Sequence, residues 1–350
     1  TISYIIDVDN GKIEATKDWI VFFNYISFFP SILSGPIDKA KTFVPQLENK
    51  RTFDYADATD GMRQILWGLF KKVVIADNCA TTVNQIFDNY QTLSGSTLLI
   101  GAFLYTFQIY GDFSGYSDMA IGFSRLIGFN LTKNFEYPYF SQSIAEFWRK
   151  WHISLTSWLT EYVFTPLSFA FRDYGKLGVC LAIIINFTIC GLWHGANWTF
   201  VMFGFLHGCY FIPLILKGTM NKKEKIGKDK WLPSLSELQN MVFTFTLVML
   251  TSIVFRADTI QHAFQYISGI ASLSLFTIPK FYGMVKAITT LGLIGIFVVT
   301  EWNGREEQYA IASIGMKWRR PLKWVFYCSI IFLIGMYMQT EETAFIYAQF

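Results

Sequence analysis

The sequence predicts an all-α integral membrane protein, a multi-span helical bundle with re-entrant or interfacial helices. Three observations carry that expectation. Long stretches lack Lys, Arg, Asp and Glu: 40 residues between Lys176 and Lys217, 23 between Asp88 and Asp112, 19 between Asp18 and Asp38, and 18 between Glu237 and Arg256. A bilayer span needs about 20 mostly apolar residues, and a charge at the bilayer centre costs several kcal/mol, so such runs mark spans. Charged residues make up only 16% of the chain and aromatics 18%, which excludes disorder, an acidic tail and a nucleic-acid-binding module. The positive charge concentrates in segments 218–237 and 301–321, which the positive-inside rule makes cytoplasmic loops.

The elements follow in chain order. The first residue is Thr1 and no signal-peptide pattern follows, so earlier spans are expected to be missing and residues 1–350 to form a single membrane-embedded domain. Residues 19–37 read as a span. The basic region Lys39 to Lys72 leads into a surface helix from about Gly61 to Asp77, with Ile65, Leu69, Val73 and Ala76 on one stripe and Arg63, Lys71 and Lys72 off it. Residues 90–111 cross outward, and 113–131 return at the expense of carrying Asp118 and Arg125. Ser143-Ile-Ala-Glu146 fits a capping box that opens a helix, and Pro166 ends or kinks it. Trp148, His152, Leu155, Leu159 and Tyr162 fall on one stripe of that helix, suited to an interface or a re-entrant position. The 40-residue run should hold two spans that meet near His194. Spans near 238–255 and 282–300 separate the two basic loops, and a last span at 324–340 leaves Glu341 and Glu342 outside. Five cysteines are scattered with no CxxC pair, so they read as small buried hydrophobes, with no metal site expected.

Polar residues beside or within apolar runs are the candidates for chemistry. His194 sits in Gly191-Leu-Trp-His-Gly-Ala-Asn-Trp198, where Gly191, Gly195 and Asn197 permit a break or tight turn. An ionisable group in such a place points to function, and an imidazole titrates near neutral pH, as a general base should. The bland alternative is a polar residue joining two helices. His152 follows Trp151 as His194 follows Trp193, and an indole beside an imidazole shields it from water. His207 lies 13 positions beyond His194, about 220° around one continuous helix, and so reads as a structural histidine on another face. His262, in a polar connector, reads as a surface histidine. Asp112, Ser114, Tyr116 and Asp118 crowd into seven residues beside an apolar run. They read as a cavity lining or helix-end cap, or else as an ordinary outer loop.

The blocks Trp148-Arg-Lys-Trp-His-Ile-Ser-Leu-Thr-Ser-Trp158 and Gly191-Leu-Trp-His-Gly-Ala-Asn-Trp198 closely resemble the paired motifs of the membrane-bound O-acyltransferases. Phe29-Pro-Ser-Ile-Leu-Ser-Gly-Pro36, Tyr110-Gly-Asp-Phe-Ser-Gly-Tyr-Ser-Asp-Met-Ala120, Val254-Phe-Arg-Ala257 and Phe345-Ile-Tyr-Ala-Gln-Phe350 extend the resemblance over nearly the whole chain. It points to the bacterial branch that O-acetylates alginate and peptidoglycan, with teichoic acid D-alanylation more distant. The resemblance implies a helical bundle around a transmembrane tunnel in the bacterial inner membrane. It implies transfer of an acyl group, acetyl in this branch, from a cytoplasmic thioester to a hydroxyl acceptor outside. Acetyl-CoA would be the donor substrate, and no cofactor would be tightly bound. The partners it implies are a secreted protein resembling an SGNH hydrolase and an exported polysaccharide. His194 matches the essential histidine, giving it the role of general base. His152 matches the second motif position, as an orienter or oxyanion stabiliser. Asp112, Ser114, Tyr116, Asp118, Trp151, Trp193 and Asn197 then become tunnel candidates. Arg149 and Lys150 could attract donor phosphates or anchor the interface. The residues alone also admit a membrane transporter or export component, although no half-repeat is visible, or a scaffold that recruits a secreted enzyme.

Overall fold

Helices build the ordered backbone of residues 1–222 and 231–339, the part that the computed structural model describes, and no β-strand occurs among these residues. In chain order they are α1 (Ile2–Asp9), α2 (Trp19–Ile26), α3 (Ala40–Glu48), α4 (Tyr55–Leu69), α5 (Asp77–Asp88), α6 (Gly95–Leu126), α7 (Ile144–Lys150), α8 (Ile153–Leu159) and α9 (Thr165–Ala170). There follow α10 (Gly175–His194), α11 (Trp198–Lys217), α12 (Leu235–Arg256), α13 (Ile260–Ile270), α14 (Met284–Asn303) and α15 (Arg320–Tyr337). Four segments among the described residues are long and apolar enough to cross a membrane: Arg172–His194, Trp198–Lys217, Leu235–Arg256 and Met284–Asn303. They fall where the charge-free runs 177–216 and 238–255 and the expected span near 282–300 lie. Helix α15 covers most of the expected last span, 324–340, but is not one of these four segments, and Glu341, Glu342 and the ending Phe345–Phe350 lie outside the described residues. So do residues 223–230, which carry Lys223, Lys225, Lys228 and Lys230 of the first basic loop.

Four expectations are corrected. Residues 19–37 are not one helix. Asp18 caps α2 through the N–H groups of Ile20 and Val21, and the helix ends at Ile26. Pro30 disfavours helical backbone at Phe29 and has no N–H to donate, so the chain turns. The segment near Gly61–Asp77 is not a surface helix. Helix α4 passes through a π-helical turn, Phe70–Ala76, into α5, and Trp67, Phe70, Lys71, Val74 and Ile75 are buried. Residues 90–131 do not cross and return, because α6 is a single 32-residue helix. Finally, the helix capped by Ser143 breaks at His152, well before Pro166. Its cap is half of the expected box. The Ser143 hydroxyl accepts from the Glu146 N–H at 3.2 Å, but the Glu146 carboxylate reaches one residue further back, to the Gln142 N–H.

Glycine lets α4 and α6 approach closely enough to bury their charges. A Cβ on Gly68 would lie 2.6 Å from the Gly115 carbonyl oxygen, and one on Gly122 would lie 2.5 Å from that of Gly61. The two pairs, seven residues apart on each helix, mark an antiparallel crossing with touching backbones. At that crossing Lys71 pairs with Asp118 at 2.5 Å, Lys72 pairs with Asp112 at 2.7 Å, and the Gln64 amide donates to Asp118. Tyr110 donates to the buried Glu301 of α14. A buried charge persists only when paired, so these contacts explain how α6 keeps two carboxylates at its middle.

The bundle has two distinguishable ends. The Trp231 indole donates to Asn303 and the Trp302 indole to the Trp231 carbonyl, so α12 begins beside the end of α14. At the other end the Asn197 amide donates to the Asp258 carbonyl, so the α10–α11 turn lies beside the α12–α13 turn.

Gly115→Val should cost about 1–3 kcal/mol by overpacking, read as a lower melting temperature of the detergent-solubilised protein. Gly292→Ala should not lower it, because a Cβ there meets nothing within 4 Å and alanine favours the helix by up to about 1 kcal/mol.

Candidate active site

His152 owes its position to a forced break between α7 and α8. Its backbone is left-handed, φ 44° and ψ 55°, a conformation uncommon for a residue with a side chain. Asn134, fully buried in the segment after α6, holds the break. Its carbonyl accepts from the Ile153 N–H at 2.9 Å, and its side-chain oxygen lies 3.0 Å from His152 Nδ1 and 2.9 Å from the Ser154 hydroxyl. The Asn134 amide donates to Ser117 of α6 at 3.0 Å, and Ser154 accepts from the Ile37 N–H at 2.9 Å. The loop that carries Pro30 and Pro36 is therefore pinned over the break. Asp38 strengthens the seam by accepting from the Thr132 N–H, although burial pushes its carboxyl above the usual range. Burial likewise pushes the neighbouring Lys133 ammonium below its usual range.

His194 arrives from the other side, as the last residue of α10. Gly195 follows at φ 155°, and Asn197 caps α11 by accepting from the Thr199 N–H at 3.1 Å. The expected junction is thus a hairpin, packed so closely that a Cβ on Gly191 would lie 2.1 Å from the Phe200 carbonyl. The His194 ring lies 5.0 Å from the Trp193 ring and 5.1 Å from that of Phe255, centroid to centroid.

The two histidines line one cavity of about 30 Å³, with Trp148, Trp151, Phe203, Ser252 and Phe255 among its walls. That volume suits a water or two, or a small reacting group. His207 lines it as well. The hairpin places α11 beside α10 rather than in line with it, so the single-helix angle that separated the two histidines does not apply. Both His207 nitrogens are engaged: Nδ1 accepts from the Trp148 indole at 3.1 Å, and Nε2 lies 3.2 Å from the Thr251 hydroxyl. It holds a wall, as a structural histidine does. His262 is not a connector residue at the surface: it lies in the first turn of α13, largely covered, and its ring stacks on that of Tyr90.

The other sequence candidates separate. Trp151 lines the cavity. Trp193 is half exposed and does not line the cavity, though its ring lies 6.3 Å from that of His152. Asn197 is the exposed helix cap described above. Asp112 and Asp118 do not lie in an outer loop or at a helix end. They are the ion-paired carboxylates of the α4–α6 crossing, because α6 continues through them. Ser114 is buried in that helix, and Tyr116 donates to the Pro30 carbonyl. None of these four borders the histidine cavity. Arg149 donates to the Met220 and Lys222 carbonyls, and Lys150 pairs with Glu146 at 2.7 Å. Arg149 also borders a second cavity of about 210 Å³ that shares the Trp148 wall and contains the buried Asn186. Sequence reading missed Asn134, Phe255 as a wall, and the sharing of one cavity by three histidines. A polar residue in Lys-Asn-Phe-Glu carries no signal that sets it apart from any loop asparagine.

Comparison with known proteins identifies the family. The chain is 37% identical over 315 residues to a probable alginate O-acetylase of Azotobacter vinelandii, covering 89% of this chain and 60% of that one. It is 34% identical over 252 residues to the peptidoglycan O-acetyltransferase of Helicobacter pylori, covering 71% and 46%. It is 30% identical over 273 residues to the teichoic acid D-alanyltransferase of Bacillus subtilis, covering 75% and 67%. The chain thus spans about half to two thirds of the length of these relatives. Residues 16–257, from the segment before α2 through both histidine motifs to Ala257, match the sequence model of one family. With its apolar helices and its two motif histidines lining one cavity, the chain belongs to the membrane-bound O-acyltransferase family.

Proposed function

We propose that this chain carries the acyl-transfer site of a bacterial inner-membrane O-acyltransferase, which passes an acyl group from a thioester donor to a hydroxyl. The observation that carries the reading is the shared aromatic cavity of His152 and His194. An alcohol attacks a thioester well only when a base takes its proton, and His194 is the base we assign. The hydroxyl proton moves to the imidazole as the C–O bond forms. The resulting oxyanion needs a nearby donor, for which the Trp151 indole is placed in the cavity wall. The C–S bond then breaks and the thiolate takes the proton from the imidazolium. Aromatic walls limit competing hydrolysis by keeping water scarce.

Sidedness follows from charge. The end near Trp231 and Asn303 adjoins the basic segments and is cytoplasmic by the positive-inside rule. The α10–α11 turn, with His194, then lies toward the outside. The second cavity opens beside Arg149 and Asn221 on the cytoplasmic side and meets the histidine cavity at Trp148, so it suits donor entry. Acetyl from acetyl-CoA is our first choice, with an exported polysaccharide, or a relay protein resembling an SGNH hydrolase, as acceptor. The likeness to alginate and peptidoglycan O-acetylating proteins supports it. D-alanyl transfer from a carrier protein is the second reading, supported by the teichoic acid relative.

In proteoliposomes of the full-length protein supplied with labelled acetyl-CoA, His194→Ala at matched abundance should lower transfer at least about 100-fold. His152→Ala should lower it strongly but less completely. Activity of His194→Ala near wild type would refute the assignment of the base.

A further inference from the structure

We propose that Asn134 is a positioning residue. It holds His152 as the Nδ1–H tautomer, so that Nε2 is an unprotonated acceptor at the cavity. The inference rests on the reading of that cavity as the active site, and it replaces the oxyanion-stabilising role that the resemblance suggested for His152.

The hydrogen bonds fix the assignment by elimination. The Ser154 backbone N–H can only donate, and it points at the Asn134 side-chain atom 3.3 Å away, so that atom is the amide oxygen. The Ile37 N–H also can only donate, so Ser154 Oγ accepts from it and sends its own proton to the same oxygen. The other Asn134 atom is therefore the NH₂ group, which donates to Ser117. An amide oxygen has no proton to give, so His152 Nδ1 must carry the proton of the 3.0 Å bond. Nε2 is left with its lone pair. A neutral ring in this state accepts a proton and cannot donate one to an oxyanion. The Phe113 ring, 4.6 Å from the imidazole, and the Phe135 ring, 6.4 Å away, leave it little room to turn over.

The surroundings let the tautomer be read by titration. His194 on α10 and His207 on α11 are the titratable groups that share the cavity of His152. From α6 come Phe113 and Ser117, and from the preceding segment Phe135 and Asn134, all uncharged. Three charged neighbours in sequence are engaged elsewhere: Lys133 donates to the Glu307 carbonyl, Asp118 pairs with Lys71, and Lys150 pairs with Glu146.

Asn134→Asp is the direct test, because the carboxylate keeps the shape and the Ser117 hydroxyl can rotate to donate to it. A carboxylate at Nδ1–H favours the imidazolium. The acidic limb of the kcat–pH profile of the full-length protein should therefore move up by one pH unit or more, with the rate recovering toward wild type above it. Asn134→Leu should lower kcat at least ten-fold with the donor KM within two-fold. An Asn134→Asp profile superimposable on wild type, or lowered by one factor at every pH with a matching loss of thermal stability, would overturn the proposal. The two readings separate cleanly: active His152→Ala refutes the role of His152 in the chemistry. Inactive His152→Ala with an unmoved Asn134→Asp profile refutes the positioning role alone.

Discussion

The side-chain oxygen of Asn134 is the point on which the site depends. It gathers donors from the His152 ring and from both polar groups of Ser154, while its own amide reaches α6 and its backbone holds Ile153. Four chain segments meet there: the loop before α3, the middle of α6, the segment after α6, and the break between α7 and α8. Without that meeting, α7 and α8 have the composition to continue as one helix, and His152 would simply follow the stripe of Trp148 and Leu155. The left-handed turn takes backbone free energy, which the bonds at Asn134 offset.

Buried charges elsewhere in the bundle are also held in pairs. Lys71 with Asp118, Lys72 with Asp112, and Tyr110 with Glu301 tie α4, α6 and α14 together. The touching glycine pairs make this possible by letting two backbones approach and shut out water. The outer faces are the reverse. Leu181, Ile189, Phe205, Phe243, Ile288 and Ile296 on the spanning helices are exposed, as suits a lipid-facing surface.

The spans were legible because charge-free length is a direct physical signature, and four of them stand where the sequence puts them. The same signature failed in both directions elsewhere. It overcounted at residues 19–37, where Pro30 outweighs hydropathy. It split α6, because partners on a distant helix remove the cost of Asp112 and Asp118, and no local pattern shows those partners. The two motif histidines could be found in the sequence, each beside a tryptophan. Their common cavity could not, because it arises from a hairpin and a helix break that only tertiary contacts specify. His207 shows this plainly: its angle on an imagined continuous helix put it far from His194, and the turn at Gly195 brought it back.

Two cavities that share the Trp148 wall give the account its physical shape, with the larger beside Arg149 and the smaller between the two motif histidines. The most direct test is a cryo-electron-microscopy structure of the full-length protein with a non-hydrolysable acetyl-CoA analogue. The account predicts the thioester-mimicking carbonyl in the histidine cavity, within hydrogen-bonding reach of His194, and the arm of the analogue passing the Arg149 side. Density for the analogue at another site, with its carbonyl remote from both His194 and His152, would contradict it.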